Sequence, residues 1–141
     1  MSELPELMAY HDGRVLPESL VRIPFRDAAA TRGDGVYDTE RTFDGRIFRL
    51  DDHLDRLWRS LELVRIEPPI DRLELASITQ DVAARNVAIL GDDLWVTQRI
   101  SRGVPISEGG DGRPSLIVEC RPLPFAERAH YFRDGVPVVI P

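Results

Sequence analysis

The 141-residue chain contains no lysine, and all 18 of its basic residues are arginine. No side-chain amine is present to form an imine with a carbonyl, so lysine-based covalent catalysis is excluded for this stretch of sequence. Cysteine is almost as scarce. The single thiol, Cys120, rules out an internal disulfide framework and suits a reducing compartment, which makes the cytoplasm the expected location. No apolar run nears the roughly 18 residues that a membrane helix needs. Met1–Tyr10 is acidic and lacks the basic start and apolar stretch of a secretory signal. A formal net charge of −6 argues against nucleic acid or an anionic membrane as partner, although local arginines can still bind small anions. His11, His53 and His130 are too scattered to propose a metal site.

What is present reads as one domain with a modest core, at 43% hydrophobic residues. Asp-Gly, a dipeptide suited to tight hairpins because both residues tolerate positive φ, occurs at 12–13, 34–35, 44–45, 111–112 and 134–135. Around these turns lie strand-like runs: Leu7–His11, Gly35–Phe43, Arg46–Leu50, Asp93–Arg102, Ser115–Pro122 and Val136–Ile140. Two helices interrupt them. The first is expected from about Asp52 to Val64, capped by Asp51 or Asp52, with Leu54, Leu57, Trp58 and Leu61 as its apolar stripe. The second is expected from about Asp71 to Asn86. Asp71 and Glu74 stand at capping-box spacing, and Leu75, Ile78 and Val82 form the buried stripe. The expected fold is α+β, an antiparallel sheet with two helices packed on one side. Val136–Ile140 reads as a strand about to enter a sheet when the sequence stops, which fits a junction between two domains.

Two segments carry candidate chemistry. Gly35–Phe43 is odd for a central strand, because neither of its faces is apolar: one holds Tyr37, Thr39, Arg41 and Phe43, the other Val36, Asp38, Glu40 and Thr42. Local rules tend to be broken where function demands it, but a solvent-facing polar hairpin gives the same pattern. In the second segment, His53 and Arg56 share a helix face that differs from the leucine stripe. Arg56 in the first turn would offer an anion a guanidinium fork beside the positive helix end; a surface ion pair with Asp52 is the alternative. The Gly109–Gly112 run lacks the strand-to-helix setting of a phosphate loop and reads as a hairpin tip. Cys120 reads as a buried strand residue.

Gly33-Asp34-Gly35-Val36-Tyr37-Asp38, the Asp44-Gly45 turn, Phe48-Arg49-Leu50 and His53-x-x-Arg56-Leu57 resemble, in order and spacing, the N-terminal domain of class IV pyridoxal-phosphate aminotransferases. That family (fold type IV) includes D-amino-acid, branched-chain and (R)-amine transaminases and aminodeoxychorismate lyases. Ile100-Ser101-Arg102-Gly103 resembles a further strand end of the family, and Asp134-Gly135-Val136 its entry into the interdomain strand.

The resemblance implies a small N-terminal domain over residues 1–135 and the start of the interdomain strand over 136–141, with the catalytic lysine in a second domain beyond. It implies pyridoxal 5'-phosphate as cofactor, its phosphate gripped by Arg56. Tyr37 and Thr39 would line the substrate pocket and Arg41 its rim. Arg32 stands where relatives often carry an aromatic residue. With Arg99 it is a candidate for binding a substrate carboxylate, because the carboxylate trap of D-amino-acid transaminases is missing from Val104–Glu108. The implied activity is transamination of a D-amino acid or small chiral amine with a 2-keto acid, in a homodimer. Aminodeoxychorismate lyase activity, or a non-catalytic half-domain that binds a phosphorylated ligand, stay open. Alone, the chain is expected to be inactive.

Overall fold

The computed structural model describes residues 5–140. The first four residues of the acidic N-terminal segment, and Pro141 of the implied interdomain strand, lie outside them. Six strands form one antiparallel sheet in the order β2-β1-β6-β5-β3-β4: β1 (Met8–His11), β2 (Arg14–Pro17), β3 (Gly35–Phe43), β4 (Arg46–Ile47), β5 (Leu94–Ser101) and β6 (Ser115–Pro122). The expected antiparallel sheet is thus present, and all of its pairings are antiparallel. β2 was not anticipated. It folds back on β1 across Asp12-Gly13, where both residues take positive φ, as they do at Asp44-Gly45 between β3 and β4. The Asp34-Gly35 pair is not a hairpin. There the left-handed residue is Gly33, which ends α1 (Ala28–Arg32), a short helix capped by the Asp27 carboxylate.

Helices α2 (Leu50–Val64) and α3 (Arg72–Leu90) cover one face of the sheet. Leu54, Leu57 and Leu61 of α2 are fully buried there, each contributing about 1.5–3 kcal/mol, and Trp58 packs at the edge of the same core. Leu75 and Val82 of α3 meet them, with Ile78 half-buried. The sheet supplies Leu94, Val96, Ile100, Leu116 and Val118. Asp71 caps α3 as its spacing predicted, accepting from the Glu74 amide at 2.8 Å. Neither Asp51 nor Asp52 caps α2. The Arg46–Leu50 strand stops at Ile47, the chain turns through Phe48 and a left-handed Arg49, and helix begins at Leu50, placing both aspartates inside the first turn.

Asn86 joins α3 to the sheet. Fully buried, it donates to the Met8 carbonyl and accepts from the Met8 amide, both at 2.7 Å, and so satisfies both backbone groups of one β1 residue. Arg102 makes a second tie, donating to Asp34 at 2.7 Å and to the carbonyls of Val64 and Arg65 at 2.8 and 2.9 Å. It closes the C-terminal end of α2 against the start of β3. Cys120 is buried on β6, and burial pushes its thiol up to about 12.

Beyond β6 the structure departs from expectation. Phe125–Asp134 forms helix α4, and Val136–Ile140 is not a strand. Val138, Val139 and Ile140 are 81–93% exposed, and no strand of the sheet pairs with them. The β-branched run has strand propensity but no neighbouring edge to bond to.

Candidate functional site

Strand alternation gives β3 two different jobs. Asp38, Glu40 and Thr42 point under the helices and are buried; Tyr37, Thr39, Arg41 and Phe43 point to the opposite, open face.

On the helix side, Asp38 is 2% exposed and organises a charged triad with the first turns of α2. Arg56 donates to it bidentately, Nε to Oδ2 and Nη2 to Oδ1, both at 2.6 Å. His53 Nδ1 lies 2.8 Å from Oδ1. Burial alone would raise the Asp38 pKa, but the bonds from Arg56 and His53 outweigh it and hold the carboxyl below its ordinary range. Because the carboxylate can only accept, His53 Nδ1 is the donor in that bond. Arg56 thus has a rigid, buried counter-charge, while its side chain stays 60% exposed. The pair engages two of its five N–H donors, and the rest are available to an external anion. The surface pair with Asp52 does not form; Asp52 bonds Arg49 instead. With Asp51 and Asp52 in the first turn, an anion here would be held by the guanidinium more than by the helix dipole.

On the open face, cross-strand partners pair Tyr37 with Arg99, Thr39 with Thr97 and Arg41 with Trp95. A cleft of about 600 Å³ lies at one end of it, lined by Tyr37, Arg99, Ser101, Ser115, Ile117 and Arg121 among others. The Tyr37 ring is two-thirds exposed, with the Arg99 guanidinium 5.4 Å from its centroid. Arg99 is bonded at 2.6 Å to Glu119, which is largely buried, and Arg121 reaches the other oxygen of that carboxylate at 3.3 Å. Two guanidiniums sharing one carboxylate leave the trio a net positive charge facing the cleft.

The remaining sequence candidates are placed less centrally. Thr39 bonds Thr97 across the strands at 3.0 Å. Arg41 donates to the Thr42 carbonyl and lies over the Phe43 ring at 3.9 Å, away from the cleft. Arg32 pairs with Glu108 at 3.3 Å and does not line the cleft, although Gly33 beside it does. The structure therefore brings Tyr37 and Arg99 together and leaves Arg32, Thr39 and Arg41 outside their cleft. Sequence reasoning missed Glu119 and Arg121, two residues apart on one face of β6, and missed Asp38 as the partner of Arg56. The strand period held the signal for the first pair. Asp38 and Glu40 also approach His53 within 4.8 Å, a grouping that histidine spacing alone hid. Both Asp38 oxygens already serve Arg56, so that charge is met by a guanidinium.

The class IV aminotransferase family profile matches residues 35–139, and the chain belongs to this family. A bifunctional aminodeoxychorismate lyase / D-amino acid transaminase of Mycobacterium tuberculosis is 34% identical over 129 residues, 91% of this chain and 42% of that protein. A D-alanine aminotransferase of Listeria monocytogenes is 29% identical over 82 residues, 58% of this chain and 27% of that protein. Among solved structures, a hypothetical aminotransferase from M. tuberculosis in its PLP-bound form superposes with a TM-score of 0.78 at 30% identity, over 90% of this chain and 43% of that one. The chain thus spans less than half the length of these relatives.

Proposed function

We propose that this chain supplies the cofactor-phosphate grip and part of the substrate pocket of a PLP-dependent class IV aminotransferase. The reaction would pass an amino group between a D-amino acid or small chiral amine and a 2-keto acid. The carrying observation is Arg56, exposed and charge-locked by buried Asp38, at the His-x-x-Arg-Leu position. A dianionic phosphate suits a guanidinium whose counter-ion fixes its plane. Pyridoxal phosphate, when bound, provides the electron sink for the amino carbon. The PLP-bound M. tuberculosis neighbour supports the choice of cofactor.

In this reading Arg99, steadied by Glu119, holds a substrate carboxylate, and Tyr37 offers its hydroxyl beside it. Thr39 supports the strand from the open face, whereas Arg32, tied to Glu108, and Arg41, over Phe43, stay outside the cleft. The residue range 1–135 acts as the small domain and 136–141 leads into a second domain that brings the lysine. The 141-residue chain alone does not transaminate. A homodimer in the cytoplasm is the expected working form. The M. tuberculosis relative's bifunctional name favours a second reading, elimination of pyruvate from aminodeoxychorismate, which a pyruvate-release assay on the longer protein separates from keto-acid-dependent transfer.

The test is binding of pyridoxal phosphate to the chain and to Arg56→Ala, by calorimetry and by absorbance before and after borohydride. The expected result is reversible binding with no adduct trapped on a side chain, weakened at least tenfold in the variant. Equal affinity in the two proteins would overturn the phosphate assignment.

A further inference from the structure

Directly beneath the grip lies a second buried acid. Glu40 is 3% exposed and Gln98 fully buried, on adjacent strands β3 and β5. Gln98 Nε2 donates to Glu40 Oε1, and at 3.3 Å to Thr79 Oγ1 of α3. Two atoms of this pair are left over. Glu40 Oε2 and Gln98 Oε1 are both buried and have no hydrogen-bond partner among the described residues. Both are acceptors if Glu40 is ionised, and a dry, unmatched anionic oxygen is among the costliest groups a fold can carry. A proton on Oε2 turns one acceptor into a donor of the kind that the amide oxygen lacks. Carboxyl and primary amide are both planar, each with donor and acceptor on adjacent atoms. Once Nε2–H bonds Oε1, a protonated Oε2 can close the ring on the amide oxygen.

We propose that Glu40 is a neutral acid in the folded protein, closed onto Gln98 by two reciprocal hydrogen bonds, and that it positions the grip by leaving Asp38 the single negative charge against Arg56. The groups facing it agree with this. On its own strand stands ionised Asp38; from α2 come His53 and Arg56, both committed to Asp38. From α3 and β5 come only the uncharged Thr79 and Gln98. Cys120 of β6 stays a thiol, its pKa raised chiefly by burial. No cation bonds Glu40 among the described residues. Burial drives the Glu40 pKa up to about 8, against a smaller opposing pull from Gln98.

Because the folded value lies above the ordinary 4.5, the linkage favours the fold fully at low pH. That contribution is lost progressively as pH rises from the ordinary value to the folded one, about 8, and nothing more is lost above it. Ionised Glu40 would also add a second attraction on Arg56 from below, drawing it from any anion above. This last consequence rests on the phosphate reading; the acid–amide ring does not.

The experiment compares the chain with Glu40→Gln. Infrared difference spectroscopy should show a protonated-carboxyl stretch in the wild type that titrates near pH 8 and is missing from the variant. The variant, a neutral isostere able to form an amide–amide ring, should stay folded and lose the fall in urea midpoint that the wild type shows between about pH 4.5 and 8. Inorganic phosphate, titrated into both on either side of about pH 8, corrects for its own ionisation because both proteins see the same ligand. The wild type should bind several-fold more weakly than the variant only on the alkaline side. A wild type with no such carboxyl stretch, or a variant with an unchanged pH dependence of stability, would overturn the proposal. If neither protein binds phosphate, the phosphate reading fails while the infrared band still decides the ring.

Discussion

Asp38→Ala takes away the acceptor of three hydrogen bonds at once, two from Arg56 and one from His53. In a dry setting, charge-assisted bonds of this kind are worth about 1.5–3 kcal/mol each. Two discounts apply. Arg56 is 60% exposed, so water takes over much of what it loses, and an exposed guanidinium contributes little on its own. The wild type also bears the cost of holding Asp38 dry, which the alanine removes. His53, 22% exposed, recovers less. The net expectation is a loss of about 2 kcal/mol at neutral pH, read as a lower urea midpoint with unchanged slope. The pH dependence adds a sharper check. Asp38's folded pKa is depressed, so its contribution is present above the ordinary carboxylate value and disappears as pH falls through the folded one. Wild type and variant should therefore converge in acid. A variant within about 0.5 kcal/mol of wild type at neutral pH, or a gap that persists in acid, would refute the view that this carboxylate anchors α2 to the sheet.

Other substitutions probe the frame around the site. Asn86→Ala strips both backbone partners from Met8 and leaves a cavity, and chemical denaturation should show a cost of about 2–4 kcal/mol. Gly103→Ala places a Cβ 1.8 Å from the Arg113 carbonyl oxygen at φ +76°, so the 103–114 loop must move. A thermal melt should show losses above about 2 kcal/mol, whereas Gly13→Ala, strained but unobstructed, should lose less.

Much of this architecture is legible in the sequence because its signals are local. The leucine spacing of α2, the Asp71 cap and the alternation within β3, β5 and β6 need no distant partner to be read. The failures are of two kinds. Short elements such as α1 and β2 hold too few residues for a period to emerge, and helix α4 buries no residue and so has no apolar stripe to read. At the site, alternation divides β3 correctly into its two faces, but not which face is dry. Asp38 and Glu40 look like solvent groups until α2 covers them, and the partner of Asp38 lies 18 residues away. Arg99 was legible as a candidate; the strand period puts Glu119 and Arg121 on one face of β6, but that Glu119 tethers Arg99 follows only from the register of β5 against β6.

Helix α2 is held at both ends by guanidiniums that reach in opposite senses. Near its start, its own Arg56 reaches into the sheet; at its end, Arg102, just past β5, reaches the carbonyls of Val64 and Arg65. A rod bolted at two points can neither slide along its axis nor swing about one end. Force applied at the grip is therefore borne by the whole sheet, and a ligand seated on Arg56 would meet a surface whose shape was settled before it arrived.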